Sequence, residues 1–230
     1  SITGYMDGNP HKPGNFYADH NSGFHVATGL MAALYHKSQT GEGQHLEIVL
    51  REATMSVIGE HFIEYQLTGK EPKRSGNDHQ TCFPHGIFPC KGNDSWVAIS
   101  IESEREWKSL CDLLAAFDLK DDPDLSDIKT RRLNYQKIES KITEWTKKRT
   151  NQQAMNQMQS KGIMAGIVAK ASDILSDKHF SERGYLDTVE HPDAGKYTSP
   201  GLPFKFSKAA TNVGVRAPMF SEHTISILSN

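Results

Sequence analysis

Cysteine is scarce in this chain. Its 230 residues hold three, Cys82, Cys90 and Cys111, too few and too odd in number for a secreted disulfide scaffold. An excess of one charge is missing as well. The 26 Lys and Arg face 28 Asp and Glu, a formal net charge of −2 with no basic stripe, so a nucleic-acid partner has no electrostatic footprint. Long apolar runs are lacking: Ile163 to Ala169 is the longest and falls far short of a bilayer span. The first residues show no charged-then-apolar leader pattern. No internal repeat, Gly-x-Gly-x-x-Gly, P-loop or Gly-x-Ser-x-Gly occurs. Asn93-Asp94-Ser95 fits the glycosylation sequon, and without a leader it reads as chance. The expectation is a soluble cytoplasmic protein, long enough for one large domain or one and a half smaller ones.

What is present has order. Gly4 to Gly14 is rich in Gly, Pro, Asn and Asp and predicts a loop. From His20 to Ser38, Leu30, Met31 and Leu34 form an apolar stripe beside small Gly23, Ala27, Ala32 and Ala33, which predicts a helix with narrow faces. Thr40-Gly41-Glu42-Gly43 ends it. Leu46, Ile48 and Leu50 alternate and predict a strand over 45–50, and a helix is expected from Glu52 to about Leu67. Thr68 to Gln80 turns polar and predicts a linker. Beyond it the pattern gives strands near 87–90 and 96–101, a helix over 104–117 and an acidic loop over 118–129. Two helices follow within 134–160, then a strand near 163–168 and short helices over 172–183. Phe204 and Phe206 alternate as an exposed or edge strand.

Few residues here could carry chemistry. Asp19 stands at the start of the predicted helix, where it is either an N-cap or a carboxylate nucleophile beside convergent backbone amides. His79, Cys82, His85 and Cys90 are zinc-ligand types, but the spacing fits no common zinc module and Pro84 and Pro89 interrupt it. A loop whose histidines touch substrate or solvent is the reading preferred over metal. Gly86 beside Pro84-His85 suits a tight turn close to a ligand. His20 and His25 are weaker candidates, and Cys111 reads as inert core.

Three segments in order go beyond spacing: Tyr17-Ala18-Asp19-His20, then Thr40-Gly41-Glu42-Gly43-Gln44 with Leu46 to Ala53, and finally Ala217-Pro218 with Glu222-His223-Thr224. Together they resemble the class III CoA-transferases, the CaiB/BaiF family. Gly76-Asn77 and Pro84-His85-Gly86 to Cys90 look like its transferase branch.

The resemblance implies an α/β protein. Residues 1–70 would be part of a Rossmann-like large domain with the catalytic helix, 71–80 a linker, 81–195 a small α/β domain, and 196–230 a return to the large domain. It implies that Asp19 is the nucleophile and that the loop carrying His79, Pro84, His85 and Gly86 closes over the acyl group. It also implies transfer of CoA from an acyl-CoA to a carboxylate through an aspartyl anhydride and an aspartyl-CoA thioester. The CoA thioester is then substrate, with no resident cofactor or metal and no nucleic-acid or membrane partner. The family alternative is an acyl-CoA racemase; a non-catalytic partner module is the reading from another class. Formyl-CoA transferase carries a run of glycines where this chain has Asp78 to His85, so formate or oxalate specificity is not implied. Family chains begin with a nucleotide-fold half that supplies most CoA contacts, and the likeness here is to the portion after it. The expectation is a chain incomplete as an enzyme alone, in an interlocked homodimer or in complex with a chain carrying that half.

Overall fold

Small residues set the first contacts of the fold. In the computed structural model, which describes residues 2–12, 14–209 and 216–229, helix α1 (Tyr17–Thr40) stops at Gly41. That glycine has φ 80° and donates its N–H to Lys37. Helix α2 (Leu50–Ser56) packs on α1, with Asn21 Nδ2 donating to the Ala53 carbonyl at 2.6 Å and with Ser22 and Ala53 buried. A Cβ on Gly29 would meet both Leu46 methyls at 3.2 Å, so the narrow helix face admits the chain that follows the turn.

That following segment departs from expectation. Residues 45–49 form no strand, and Leu50 already begins α2. Val49 is extended (φ −97°, ψ 116°), but among the described residues no strand lies beside it to complete a ladder. The helix expected over 52–67 is two, α2 and α3 (Gly59–Thr68). They part at Val57-Ile58, whose N–H groups bond back only three residues, to Thr54 and Met55. A β-branched pair followed by glycine is a poor continuation of an α-helix.

The main core follows an irregular stretch. Strands β1 (His85–Pro89) and β2 (Trp96–Ser100) pair antiparallel, His85 opposite Ser100 and Pro89 opposite Trp96, and β3 (Met164–Ile167) completes the sheet in the order β1-β2-β3. Period-two alternation buries Phe88, Val97 and Ile99. Helix α4 (Glu104–Leu114) starts at a Ser103/Glu106 capping box and buries Trp107, Leu110 and Cys111.

The acidic stretch is not a loop. It contains α5 (Phe117–Lys120), a 3-10 turn (Pro123–Leu125) and α6 (Ile128–Leu133), with Asp122 capping the turn and Asp127 capping α6. Asp122 and Asp127 are caps, a role that sequence charge alone disguised as solvation. Helices α7 (Tyr135–Thr146) and α8 (Asn151–Gln159) add Ile138, Ile142, Trp145, Ala154 and Met158 to the same core.

The chain divides into two compact units, Ser1–Gly166 and Ile167–Asn230. The second holds α9 (Ala171–Leu175), α10 (Lys178–Arg183), a hairpin of β4 (Leu186–His191) and β5 (Gly195–Pro200), and α11 (Thr224–Leu228). The expected strand at Phe204 and Phe206 is absent. Those rings pack edge-on at 5.4 Å while the neighbouring Pro200 and Pro203 offer no N–H to a ladder. The α/β class holds. Among the described residues no helix is long and apolar enough to cross a membrane.

Candidate functional site

Asp19 is the third residue of α1, not its cap. The N-cap is Phe16, which makes no side-chain capping bond, so the carboxylate sits within the first turn at the positive end of a 24-residue helix. It is exposed, and among the described residues it has no hydrogen-bond or ion-pair partner. A cavity of about 370 Å³ opens there, lined by Lys12, Asn15, Asp19 and Thr54 among others.

The histidine loop builds a second cavity, of about 600 Å³, which shares no lining residue with the first. His85 and Gly86 line it. Pro84 is buried, and His79 stays outside the lining with its ring centroid 5.2 Å from that of His85. Gly86 is not in a turn: it lies within β1 opposite Ile99, at a backbone position any residue could adopt. His85 Nδ1 lies 2.7 Å from the Asn77 carbonyl and donates to it, because a carbonyl oxygen can only accept.

Residues remote in sequence complete this cavity. Arg132 pairs with the Asp78 carboxylate, donates to the carbonyls of His79 and Cys82, and lies 5.3 Å over the Phe83 ring. One guanidinium thus clamps residues 78–83. Burial, then a hydrogen bond to Glu139, pushes the Tyr135 phenol up to about 12, so it remains a neutral donor. Tyr5 reaches in from the opening loop, its hydroxyl accepting from Asn77 Nδ2 at 3.0 Å. Tyr5, Arg132 and Tyr135 carry no motif.

The cysteines behave as core. Cys82, Cys90 and Cys111 are free and buried, and burial pushes the Cys90 thiol up and that of Cys111 up to about 12. Among the described residues no group of three or more His, Cys, Asp or Glu is placed to hold a metal ion. In the second unit, Arg216 forks onto Glu222, which also accepts the Met219 N–H at 2.7 Å. Those hydrogen bonds hold the Glu222 carboxyl down at about 2.

Comparison with known proteins places these features in company. Residues 1–224 match the signature of CoA-transferase family III. The succinyl-CoA:mesaconate CoA-transferase of Haloarcula hispanica is 30% identical over 228 residues, covering 99% of this chain and 56% of that protein. The formyl-CoA:oxalate CoA-transferase of Afipia carboxidovorans is 28% identical over 248 residues, covering 99% and 58%. A CAIB/BAIF family protein from Brucella suis superposes with a TM-score of 0.88 at 25% identity, over 99% of this chain and 58% of that one. The chain therefore spans a little over half the length of the relatives it matches.

Proposed function

This chain belongs to CoA-transferase family III, and on that premise we propose that Asp19 is the covalent nucleophile of a CoA transfer from an acyl-CoA to a carboxylate. The observation that carries the reading is the exposed carboxylate in the first turn of α1, which has no hydrogen-bond or ion-pair partner among the described residues. A carboxylate oxygen is itself a nucleophile and needs no general base. It attacks the thioester carbonyl, the C–S bond breaks, and CoA leaves as the thiolate with the electron pair. That thiolate attacks the aspartyl carbonyl of the anhydride, the C–O bond breaks, and the donor acid leaves as carboxylate. The acceptor carboxylate then attacks the aspartyl-CoA thioester, and the released thiolate takes the new acyl group and frees Asp19. No proton is transferred at any step. Backbone N–H groups at the start of α1 would face the developing oxyanions, and the loop clamped by Arg132 would exclude water from the anhydride.

A second copy of the chain over α1 is part of the same proposal. Phe24, Met31 and Tyr35 share one face of the helix and are 71%, 66% and 69% exposed.

The test uses the protein purified natively, so that any further chain accompanies it. Hydroxylamine trapping during turnover should modify Asp19. Asp19→Ala should fold and lose transfer by at least about a thousandfold. Near-normal transfer by that variant would sink the reading. Deuterium uptake at the α-carbon of a 2-methylacyl-CoA in heavy water, without any acceptor, would place the chemistry with racemisation.

A further inference from the structure

The cavity at Asp19 holds one charge of each sign. Among the described residues of its lining, Lys12 is the one cation and Asp19 the one carboxylate. No ion pair joins them, and Lys12, like Asp19, has no hydrogen-bond or ion-pair partner among the described residues. The opening loop sets the lysine there. The His11 N–H donates to the Thr3 carbonyl at 3.0 Å, and the Thr3 hydroxyl donates back to the His11 carbonyl. Arg74 straps the same loop, donating from Nε to the Tyr5 carbonyl at 3.2 Å and from Nη2 to the Gly8 carbonyl at 2.9 Å. Asn15 uses its side-chain oxygen to accept the Phe16 N–H at 2.8 Å, which leaves Nδ2 as a donor with no partner among the described residues. Beside the nucleophile, the lining thus offers an uncommitted ammonium and an uncommitted amide donor, which together suit a carboxylate.

We propose that Lys12, with Asn15 Nδ2, forms a carboxylate-binding subsite in the Asp19 cavity, which holds the acceptor acid for its attack on the aspartyl thioester. The role of that acid rests on the transfer reading above. Charge gives the subsite its timing. While Asp19 is a free carboxylate, the two charges of the lining cancel and a second carboxylate is repelled by the first. Once Asp19 is a thioester it carries no charge, and Lys12 is left as the single charge of the lining. The acceptor is then drawn in at the stage that consumes it. Its oxygen bonds to the aspartyl carbonyl carbon, the C–S bond breaks, and the thiolate keeps the electron pair, while Lys12 keeps its proton throughout. The donor brings an uncharged thioester carbonyl to Asp19, so Lys12 serves the acceptor half of the reaction and not the donor half.

The experiment reads binding and turnover separately, in natively purified protein. Lys12 is exposed and bonds to nothing that holds its loop, so its variants keep the fold. Asp19→Asn is a neutral stand-in for the thioester. Calorimetry should find that it binds propionate at least about tenfold more tightly than wild type does. Lys12→Ala in the Asp19→Asn background should abolish that gain, and Lys12→Arg should keep it. In turnover of acetyl-CoA with propionate, Asp19 intact, Lys12→Ala should raise the KM for propionate at least about tenfold and move that for acetyl-CoA by less than about twofold. Protein that binds propionate in this charge-dependent way but transfers nothing fails the transfer reading and bears out the subsite. Equal propionate affinity in all variants, or a rise of both KM values alike, would overturn the subsite alone. So would the absence of propionate binding by folded Asp19→Asn protein.

Discussion

Arg131 and Arg132 are neighbours in sequence with opposite destinations. Arg131 turns inward, 2% exposed, donating to the Leu125 carbonyl and the Glu104 carboxylate, each at 2.7 Å, with its guanidinium 4.5 Å over Trp107. Its removal leaves a buried carbonyl unsatisfied and an indole face unpacked. Arg131→Leu should cost about 2–4 kcal/mol, whereas Glu104→Gln, on the half-exposed side of the pair, should cost less than about 1 kcal/mol. Denaturant midpoints followed by tryptophan fluorescence measure both, and equal losses would contradict the assignment. At this scale the candidate site was only partly legible. The place of Asp19 in the first turn of α1 could be read because a helix start is a local signal, while its role as nucleophile comes from the family resemblance and stands as a proposal. Tyr5 and Arg132 could not, because what makes each one matter lies about fifty residues away or farther. Gly86 misled, since its neighbours suggested a turn where β2 imposed a strand.

Among the elements, legibility followed the source of the hydrogen bonds. The helix ending at Gly41 and the hairpin of β1 and β2 are closed by near neighbours, and their patterns predicted them to within a few residues. Residues 45–49 alternate as a strand should but have no ladder partner among the described residues, and alternation cannot supply one. The hairpin of β4 and β5 was missed although its turn ends on Gly195 at φ 72°, since β5 is almost wholly exposed and β4 buries only Val189. The turn leading into α11 is held by side chains instead. Glu222 joins Arg216 and the Met219 N–H, which accounts for a glutamate in the Glu-His-Thr segment. Its folded carboxyl lies at about 2 against an ordinary value of 4.5. A depressed carboxylate contributes stability in full above its unfolded value and loses it as pH falls toward the folded one. The turn should therefore hold above about pH 4.5 and loosen between there and about pH 2. Carboxyl carbon shifts across that range would show a Glu222 midpoint near 2; a midpoint near 4.5 would mean the fork does not form in solution.

Across the first unit, burial is lopsided. The core cluster runs from Phe83 to Ile163, while α1 to α3 bury only Ser22 and Ala53. Phe24, Met31 and Tyr35 stay open on α1, and Phe62, Ile63 and Leu67 stay open on α3. Sedimentation should therefore find a species heavier than 25.7 kDa, and Phe24→Glu with Met31→Glu should shift it toward monomer. A monomeric wild type at micromolar concentration would refute the assembly. The same lopsidedness has a consequence during synthesis. Translation runs at about 5–20 residues per second, so α1 emerges on the order of ten seconds before the last core residue, Ile163, has been made. Through that interval and after it, its apolar face is a nascent-chain liability, since the finished core still leaves Phe24, Met31 and Tyr35 open. A ribosome-associated holdase would find a target in the helix that carries Asp19.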